Sequence, residues 1–400
     1  MQLAEWLGID QANLSRHERA CRPTVRLDKL EQWARMLRIP RRLLWFHVEP
    51  DASDSGGSPV VPSTIAATTP VSGDDDMQRR QFLRATGAAV TLGAVGSGAL
   101  TGTNEQSTLV AEVRQMIAAF RASDNRYGGS HSRSSLAAYF NRTVKPQLSV
   151  RASTGLFAAA AEMQHLAGWM AYDIGQPELG RYHLREAVRL CRRAEDVPLA
   201  AETFAGMSHQ AAFQGAADTA VDFALAAEQA SASVDLPVLT AEINILAAHG
   251  HALKGEKSEC LHALREGERA FERGGGETPP WLTYFDDAYL AAKTAHVFRE
   301  LGMPAEAETY ARRSLRMNEG YERGRLFNTA LLASSLADQR RVEEACAEGG
   351  QAVAMLQQVR SVRATAYLSD LARRLAPFDT ASVRELYERM HEVGVATPEA

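Results

Sequence analysis

Glutamate and histidine recur seven residues apart in the central part of this chain. Glu202 precedes His209 and Glu242 precedes His249 at this spacing, and a third histidine, His296, follows a tyrosine in the same way. Seven residues are two helical turns, about 10 Å, so both members of a pair share one helix face. Carboxylates accept hydrogen bonds, and imidazoles can donate or accept them. This face could therefore bind a ligand with many polar groups, such as a peptide.

The helices that carry these residues belong to an internal repeat. Gly175, Gly215, Gly255 and Gly302 each close one helix, and Arg340 has the equivalent place in a fifth copy. Small residues stand at three fixed offsets from these turns, seven before, five after and twelve after. They are Gly168, Ser208, Ala248, Ala295 and Ala333; Gly180, Ala220, Cys260, Ala307 and Ala345; and Ala187, Ala227, Gly267, Ser314 and Ala352. Such columns predict stacked helix pairs whose backbones approach closely.

Over residues 156–358, this pattern resembles tetratricopeptide repeats with lengthened loops. The resemblance implies five helix pairs, with the first helix of each pair on the concave side. The residues assigned to the resulting ligand or partner groove are Glu162, His165, Trp169, Glu202, His209, Glu242, His249, Tyr289 and His296, with Phe327 and Ser334 at equivalent positions. Shared ancestry of the repeats and the helix dipole would also account for the glutamates, but they explain the histidines less well.

The segments around the repeats also have interpretable patterns. Residues 105–155 predict one or two lead-in helices, and residues 359–400 predict a capping helix pair. The glycine-rich stretch Gly274–Pro280 predicts an inserted loop. Proline is tolerated in the first turn of a helix, so we expect helices to begin at Pro198, Pro237 and Pro280.

Residues 1–48, called the head below, are basic, whereas the rest of the chain, called the body, is acidic. They carry nine Lys or Arg against five Asp or Glu, whereas the whole chain has a net charge of −5. Leu3 and Leu7 form one apolar face, Gly8 allows a sharp turn, Asp10 can cap a second helix and Leu14 points back to the core. Two short helices joined by a tight glycine turn indicate a helix-turn-helix unit, and its positive charge suits a phosphate backbone.

These residues resemble the phage-repressor (Cro-like) family of bacterial transcriptional regulators. The resemblance implies that Gln11–Glu18 is the recognition helix. Its base readers would be Gln11, Ala12 and Arg16, its groove or phosphate contacts Asn13 and Ser15, and its backbone contacts Arg19, Arg22 and Arg26. The first helix of the family has no counterpart, because Met1 falls where the second helix begins, so we expect translation to start upstream.

Residues 49–76 are rich in proline, serine, threonine and aspartate and contain no Lys or Arg, which predicts a disordered linker. In residues 77–104, Arg79 and Arg80 precede Phe82, Leu83 and a weakly apolar run. This segment resembles a twin-arginine export signal. Its internal position favours an apolar connector, and export would require translation from Met77.

Composition narrows the fold and function classes. The chain is 45% hydrophobic and rich in Ala and Leu, which predicts an all-α protein. Its four cysteines lack metal-ligand spacing and are expected to be buried, reduced thiols in the cytoplasm. No P-loop, HExxH, nucleotide fingerprint or GxSxG motif occurs, so we expect no enzyme, no cofactor and no metal.

The arrangement of head and body resembles bacterial regulators in which a Cro-like domain is fused to peptide-sensing helical repeats. This resemblance implies a cytoplasmic transcriptional regulator that binds double-stranded DNA, forms a homodimer on two half-sites and responds to a peptide or protein effector. No membrane association is expected. The alternative is an interaction scaffold that has tetratricopeptide-like repeats and does not bind DNA.

Overall fold

A computed structural model describes residues 102–398, which contain helices, turns and loops but no strand. The described part of the chain is therefore an all-α stack of helix pairs, as the repeat pattern predicts. The expected head, the linker and most of the connector lie outside the described residues. The same holds for the DNA-contacting residues Gln11 to Arg26, whose assignment stays a prediction.

Fourteen α-helices follow one another in the described residues. The lead-in segment forms α1 (Gly102–Tyr127) and α2 (Arg133–Tyr139), which continues into a π-helical turn (Phe140–Val144) and a 3-10 turn (Lys145–Gln147). The five repeats are α3 (Thr154–Asp173) with α4 (Pro177–Ala194), α5 (Val197–Phe213) with α6 (Ala217–Ser231), α7 (Pro237–Lys254) with α8 (Lys257–Arg273), α9 (Asp287–Glu300) with α10 (Pro304–Ser314), and α11 (Glu322–Asp338) with α12 (Val342–Leu356). The tail forms α13 (Val362–Leu375) and α14 (Ala381–Glu392).

The turn that separates the two helices of each pair has one recurring backbone conformation. Gly175, Gly215, Gly255 and Gly302 have φ between 69° and 77°, and Arg340 has φ 62° at the fifth position. A residue in the left-handed αL conformation ends a helix and reverses the direction of the chain. Glycine adopts this conformation without a steric penalty because it has no Cβ. All fifteen residues in the three small-residue columns are buried.

Helices of one pair approach closely where these columns meet. A Cβ added to Gly168 on α3 would lie 2.8 Å from Leu184 and 3.2 Å from the Gly180 carbonyl oxygen on α4. In the next pair, the Ser208 hydroxyl donates a 2.7 Å hydrogen bond to the Ala220 carbonyl oxygen. A larger side chain at either crossing would force the two helices apart, and this explains the periodicity.

Two of the three expected proline starts are present. Pro198 lies in the first turn of α5, and Pro237 is the first residue of α7. The expectation for Pro280 is wrong, because α9 begins at Asp287 behind the N-cap Asp286, whose carboxylate accepts from the Tyr289 amide. The insertion between α8 and α9 is therefore longer than the glycine-rich stretch alone.

The second half of this insertion packs into the protein. Trp281, Leu282 and Phe285 are buried, and the ring of Phe285 meets Phe271 of α8 at 5.9 Å between centroids. These apolar side chains anchor residues 281–286 to the repeat stack. The anchoring directs the hydroxyl of Tyr284 inward.

The first and last repeats meet through a buried polar network. The Asp173 carboxylate, at the end of α3, accepts hydrogen bonds from the Gly129 amide (2.9 Å) and the Ser361 hydroxyl (2.8 Å). Arg323 of α11 lies 2.9 Å from Asp124 of α1 and 3.5 Å from Asp173. The Asp173 carboxylate thus connects α3 with the loop after α1, with α11 and with the N-cap residue of α13, so the two ends of the stack meet.

The two tail helices have different positions. Helix α14 packs on α12, where Leu386 approaches Gly349, and so covers the end of the stack. Helix α13 packs on α11 and brings Tyr367 against Phe327 and against Phe213 of the second repeat. The inner helices and α13 together form the walls of the interior.

The described residues include three cysteines, Cys191, Cys260 and Cys346, which are buried and form no disulfide. Burial raises the pKa of the Cys260 and Cys346 thiols to about 11. None of the helices in residues 102–398 combines the length and the hydropathy needed to cross a bilayer.

Candidate functional site

A chamber of about 180 Å³ lies inside the stack, between the inner helices of the repeats and the helices at the two ends. Its lining comes from α1 (Arg121, Asp124, Asn125), α3 (His165, Leu166, Trp169), α5 (His209), the insertion (Tyr284, Asp286), α9 (Ala288, Tyr289, Ala292, Lys293, His296), the segment before α11 (Met317, Tyr321), α11 (Arg323, Gly324, Phe327, Asn328) and α13 (Arg363, Tyr367). A second cavity of about 280 Å³ shares His209, Lys293, His296 and Tyr367 with it.

The structure brings together some of the residues assigned to the groove and separates others. Five line the chamber, namely His165, Trp169, His209, Tyr289 and His296, together with Phe327. His249 lines the second cavity. Glu162, Glu202 and Glu242 are buried but line neither cavity, and Ser334 is also buried. The three glutamates contact protein groups instead of either cavity. A ligand role for these residues stays a prediction.

His165 and Trp169 form one wall through a local hydrogen bond. The indole Nε1 of Trp169 donates to Nε2 of His165 at 2.7 Å, one helical turn away. Burial lowers the pKa of His165 to about 3, so its imidazole is neutral and carries its proton on Nδ1. That buried Nδ1 has no hydrogen-bond partner among the described residues.

His209 is contacted by two basic side chains. Lys293 Nζ lies 2.8 Å from Nδ1 and 3.1 Å from Nε2 of the imidazole, and Arg363 Nη2 lies 3.3 Å from Nε2. Burial, and then the neighbouring Lys293 and Arg363, hold the pKa of His209 well below its usual value. The ring also meets Trp169 edge-on at 4.9 Å between centroids.

His249 and His296 stack across neighbouring repeats with ring centroids 5.7 Å apart. Burial lowers the pKa of both imidazoles, that of His249 to about 3. Tyr367 Oη lies 3.0 Å from His296 Nε2 and fixes the orientation of this ring. Within residues 102–398, no group of three or more His, Cys, Asp or Glu side chains is arranged to hold a metal ion.

Glu202 and Glu242 meet behind the chamber wall. The Tyr284 hydroxyl lies 2.6 Å from Oε1 of each carboxyl group, and the two carboxyl groups also bond to each other. Burial raises the pKa of both, and Glu242 raises that of Glu202 further, so a proton is retained between them. Glu162, by contrast, lies 3.4 Å from Arg114 of α1.

Sequence reasoning missed most of the polar residues that line the chamber, among them Lys293, Tyr284 and Arg363. Lys293 had a signal, because the other repeats place Leu166, Gly206, Leu246 and Leu331 nine residues before their turns. A lysine is unusual at a position where the other repeats have leucine or glycine, and aligning the repeats reveals it. Tyr284 and Arg363 lie in the insertion and the tail, where no repeat register applies, and nothing in the sequence distinguishes them from surface residues.

No protein-family model and no curated protein matches this chain. Among solved structures, the chain is similar to the apo form of the quorum sensor NprR from B. thuringiensis. The two share 13% sequence identity at a TM-score of 0.40, and the alignment covers 80% of this chain and 89% of that chain. A likeness of this degree supports no conclusion about the ligand or activity of this chain.

Proposed function

We propose that this chain is a DNA-binding transcriptional regulator whose helical-repeat domain binds an effector in the chamber. The resemblance of residues 1–48 to Cro-like domains supports the DNA-binding part. The effector-binding part is carried by one observation, the convergence of polar side chains from α3, α5, α9, α11 and α13 on one cavity. Cavities lined by aromatic rings and a few converging polar groups are typical ligand sites.

The chamber has a position from which occupancy can influence the whole repeat domain. Trp169 belongs to the first repeat, Phe327 to the fifth, and Arg363 to the tail, and all three line the chamber. A ligand that contacts both ends of the stack favours the conformation in which the ends are closed. Differential binding of this kind is what shifts a conformational equilibrium. Closure would alter the pairing of two chains, and therefore the spacing of their DNA-binding heads.

DNA binding is tested by sequencing the DNA recovered with the immunoprecipitated full chain. We expect enrichment of a two-half-site sequence and, by fluorescence anisotropy at fixed salt, binding that Arg16→Ala weakens by about 1–3 kcal/mol. Arg384→Ala, which removes an exposed arginine of α14, is the matched control and should bind as the wild type does. If no sequence is enriched, the regulator proposal fails and the scaffold alternative is favoured.

The role of the chamber is tested without knowledge of the effector. Ala292→Phe fills the chamber from α9, whereas Ala347→Phe places the same ring on the exposed face of α12. We expect Ala292→Phe to change the affinity for the enriched DNA sequence, called the operator below, several-fold. Ala347→Phe should leave this operator affinity unchanged. Equal affinities for both variants, with helicity retained, would separate the chamber from DNA binding.

A further inference from the structure

Arg363 is a buried cation that forms no ion pair with a carboxylate of the described residues. Its Cζ lies 4.8 Å from the Tyr172 ring centroid, 5.3 Å from that of Phe213 and 4.8 Å from that of Phe327. Among the described residues, no carboxylate forms an ion pair with it, and its buried Nε has no hydrogen-bond partner. Aromatic faces attract a guanidinium but accept none of its hydrogen bonds in the way an anion does.

Donors outnumber acceptors around His209. The amine of Lys293, the guanidinium of Arg363 and, at 3.4 Å, the hydroxyl of Tyr289 all approach this one imidazole. A neutral imidazole has one acceptor nitrogen and one N–H, so it can accept from only one of the two basic side chains, while its N–H can donate only to the Tyr289 hydroxyl oxygen or to a neutral Lys293 amine. Tyr367, another polar neighbour of Arg363, offers a hydroxyl oxygen, and the nearby carboxyl groups of Glu242 and Asp370 act on Lys293 and Tyr367 only at longer range. Among the described residues, no carboxylate forms an ion pair with Lys293 or Arg363.

Lys293 is the second group that an acceptor would satisfy. It is buried, and desolvation together with the nearby Arg363 holds its pKa well below the usual value. Three of the other four repeats place leucine at the equivalent position. A lysine that replaces a core leucine and forms no ion pair with a carboxylate of the described residues is unfavourable for folding, which indicates a role other than packing.

We propose that the chamber binds a compact monocarboxylate, with the carboxylate group between Lys293 and Arg363 and the apolar body against the rings of Trp169, Tyr289 and Phe327. The guanidinium can bind both carboxylate oxygens at once, and Lys293 gains the counter-charge that favours its ammonium form. The volume of about 180 Å³ suits a body of roughly one ring, since a cavity of about 150 Å³ holds benzene. This inference rests on the proposed function, because it names the chemical class of the effector.

The direct test measures the melting temperature of the full chain with matched probes at constant ionic strength. The carboxylates are benzoate, phenylacetate and hexanoate, the neutral counterparts are benzamide and phenylacetamide, and inorganic phosphate is a separate anion. At about 10 mM, we expect at least one carboxylate to raise the melting temperature by about 2 °C or more. The amides and phosphate should leave it unchanged.

Two variants test the assigned residues. Lys293→Leu installs the residue that the first, third and fifth repeats carry, so without ligand it should melt no lower than the wild type. Both Lys293→Leu and Arg363→Met should lose the carboxylate-dependent shift, whereas the exposed control Arg384→Met should retain it. A purely structural lysine would instead give a lower melting temperature in Lys293→Leu with the shift intact, and this result would overturn the proposal.

The remaining outcomes are also decisive. Stabilisation by no carboxylate, by phosphate alone or equally by the amides would overturn the carboxylate assignment. If a carboxylate binds in a manner dependent on Arg363 and Lys293 but operator affinity does not respond, the site stands and the regulator proposal fails. If operator affinity responds to Ala292→Phe but no carboxylate binds, the regulator proposal stands without this ligand class.

Discussion

Glu202 and Glu242 occupy equivalent positions in neighbouring repeats, and their carboxyl groups converge on one hydroxyl group. Each places Oε1 at 2.6 Å from Tyr284 Oη, and both Oε2 atoms are buried without a hydrogen-bond partner among the described residues. Two buried carboxylates this close cannot both ionise without a large cost in free energy. The pair therefore retains a proton that the unfolded chain would release.

This retained proton predicts a pH dependence for Glu202. Burial, and then Glu242, hold the pKa of Glu202 well above its ordinary value of 4.5. Its contribution to the free energy of unfolding is fully present below about pH 4.5 and is lost as the pH rises through the folded-state pKa. Glu202→Gln keeps the hydrogen bonds without ionising, so its stability should decline less between pH 5 and pH 8. Urea denaturation measures this difference, and the exposed Glu319→Gln is the control. Parallel pH profiles for Glu202→Gln and the wild type would contradict the shared proton.

The buried histidines predict that the free energy of unfolding changes with pH in the opposite direction, falling as the pH decreases. Burial lowers the pKa of His165 and His249 from 6.5 to about 3, so the folded chain keeps these imidazoles neutral. Their contribution is fully present above pH 6.5 and is lost as the pH falls towards 3. His249→Gln should reduce the loss of stability between pH 6.5 and pH 5.5 by on the order of 1 kcal/mol. The comparison is with His262→Gln, at an exposed position of α8, which should follow the wild-type profile. An unchanged slope for His249→Gln would show that its imidazole is hydrated.

Closure of the stack predicts a large effect at Arg323. This side chain is largely buried and bonds to Asp124 and Asp173, and removing it leaves two carboxylates in the interior. Arg323→Met should lower the free energy of unfolding by about 3–5 kcal/mol. In the control Arg384→Met, which breaks only the exposed pair with Asp379, the loss should stay below about 1 kcal/mol. Similar losses for both variants would mean that the ends of the stack are not joined through Arg323.

The loop after α1 predicts a steric effect at Gly129. A Cβ there would lie 2.5 Å from the Met170 carbonyl oxygen, a backbone atom that cannot rotate away. Gly129→Ala should destabilise the chain by about 1–3 kcal/mol. Gly155→Ala is the matched control, because its Cβ would meet no atom closer than 3.8 Å within the first turn of α3. The control should be neutral or more stable by up to about 1 kcal/mol. Thermal denaturation distinguishes the two, and equal effects would argue against the close approach.

An alignment of the five repeats is enough to identify Lys293 as a residue of the site. Lys293 stands in a column that is otherwise leucine or glycine, and a comparison of the five copies at that offset would have marked it. Tyr284 and Arg363 lie in the insertion and the tail, so the other repeats contain no equivalent position with which to compare them. At Pro280 the local pattern was misleading. A proline in this context is typical of a helix start, but Pro280 lies in an insertion whose apolar residues pack inward.

The sequence by itself determined the helix pairs, their order and the turns between them. These depend on local properties, namely small residues where two backbones approach and a left-handed residue where the chain returns. Only the tertiary structure decided that the stack closes, since closure is the sum of small rotations over five repeats and an insertion. That sum brings Arg363 of the tail against Tyr172 of the first repeat, nearly two hundred residues away in the sequence. Contacts over such separations have no local pattern, which is why the chamber and its unpaired charge emerge only from the folded chain.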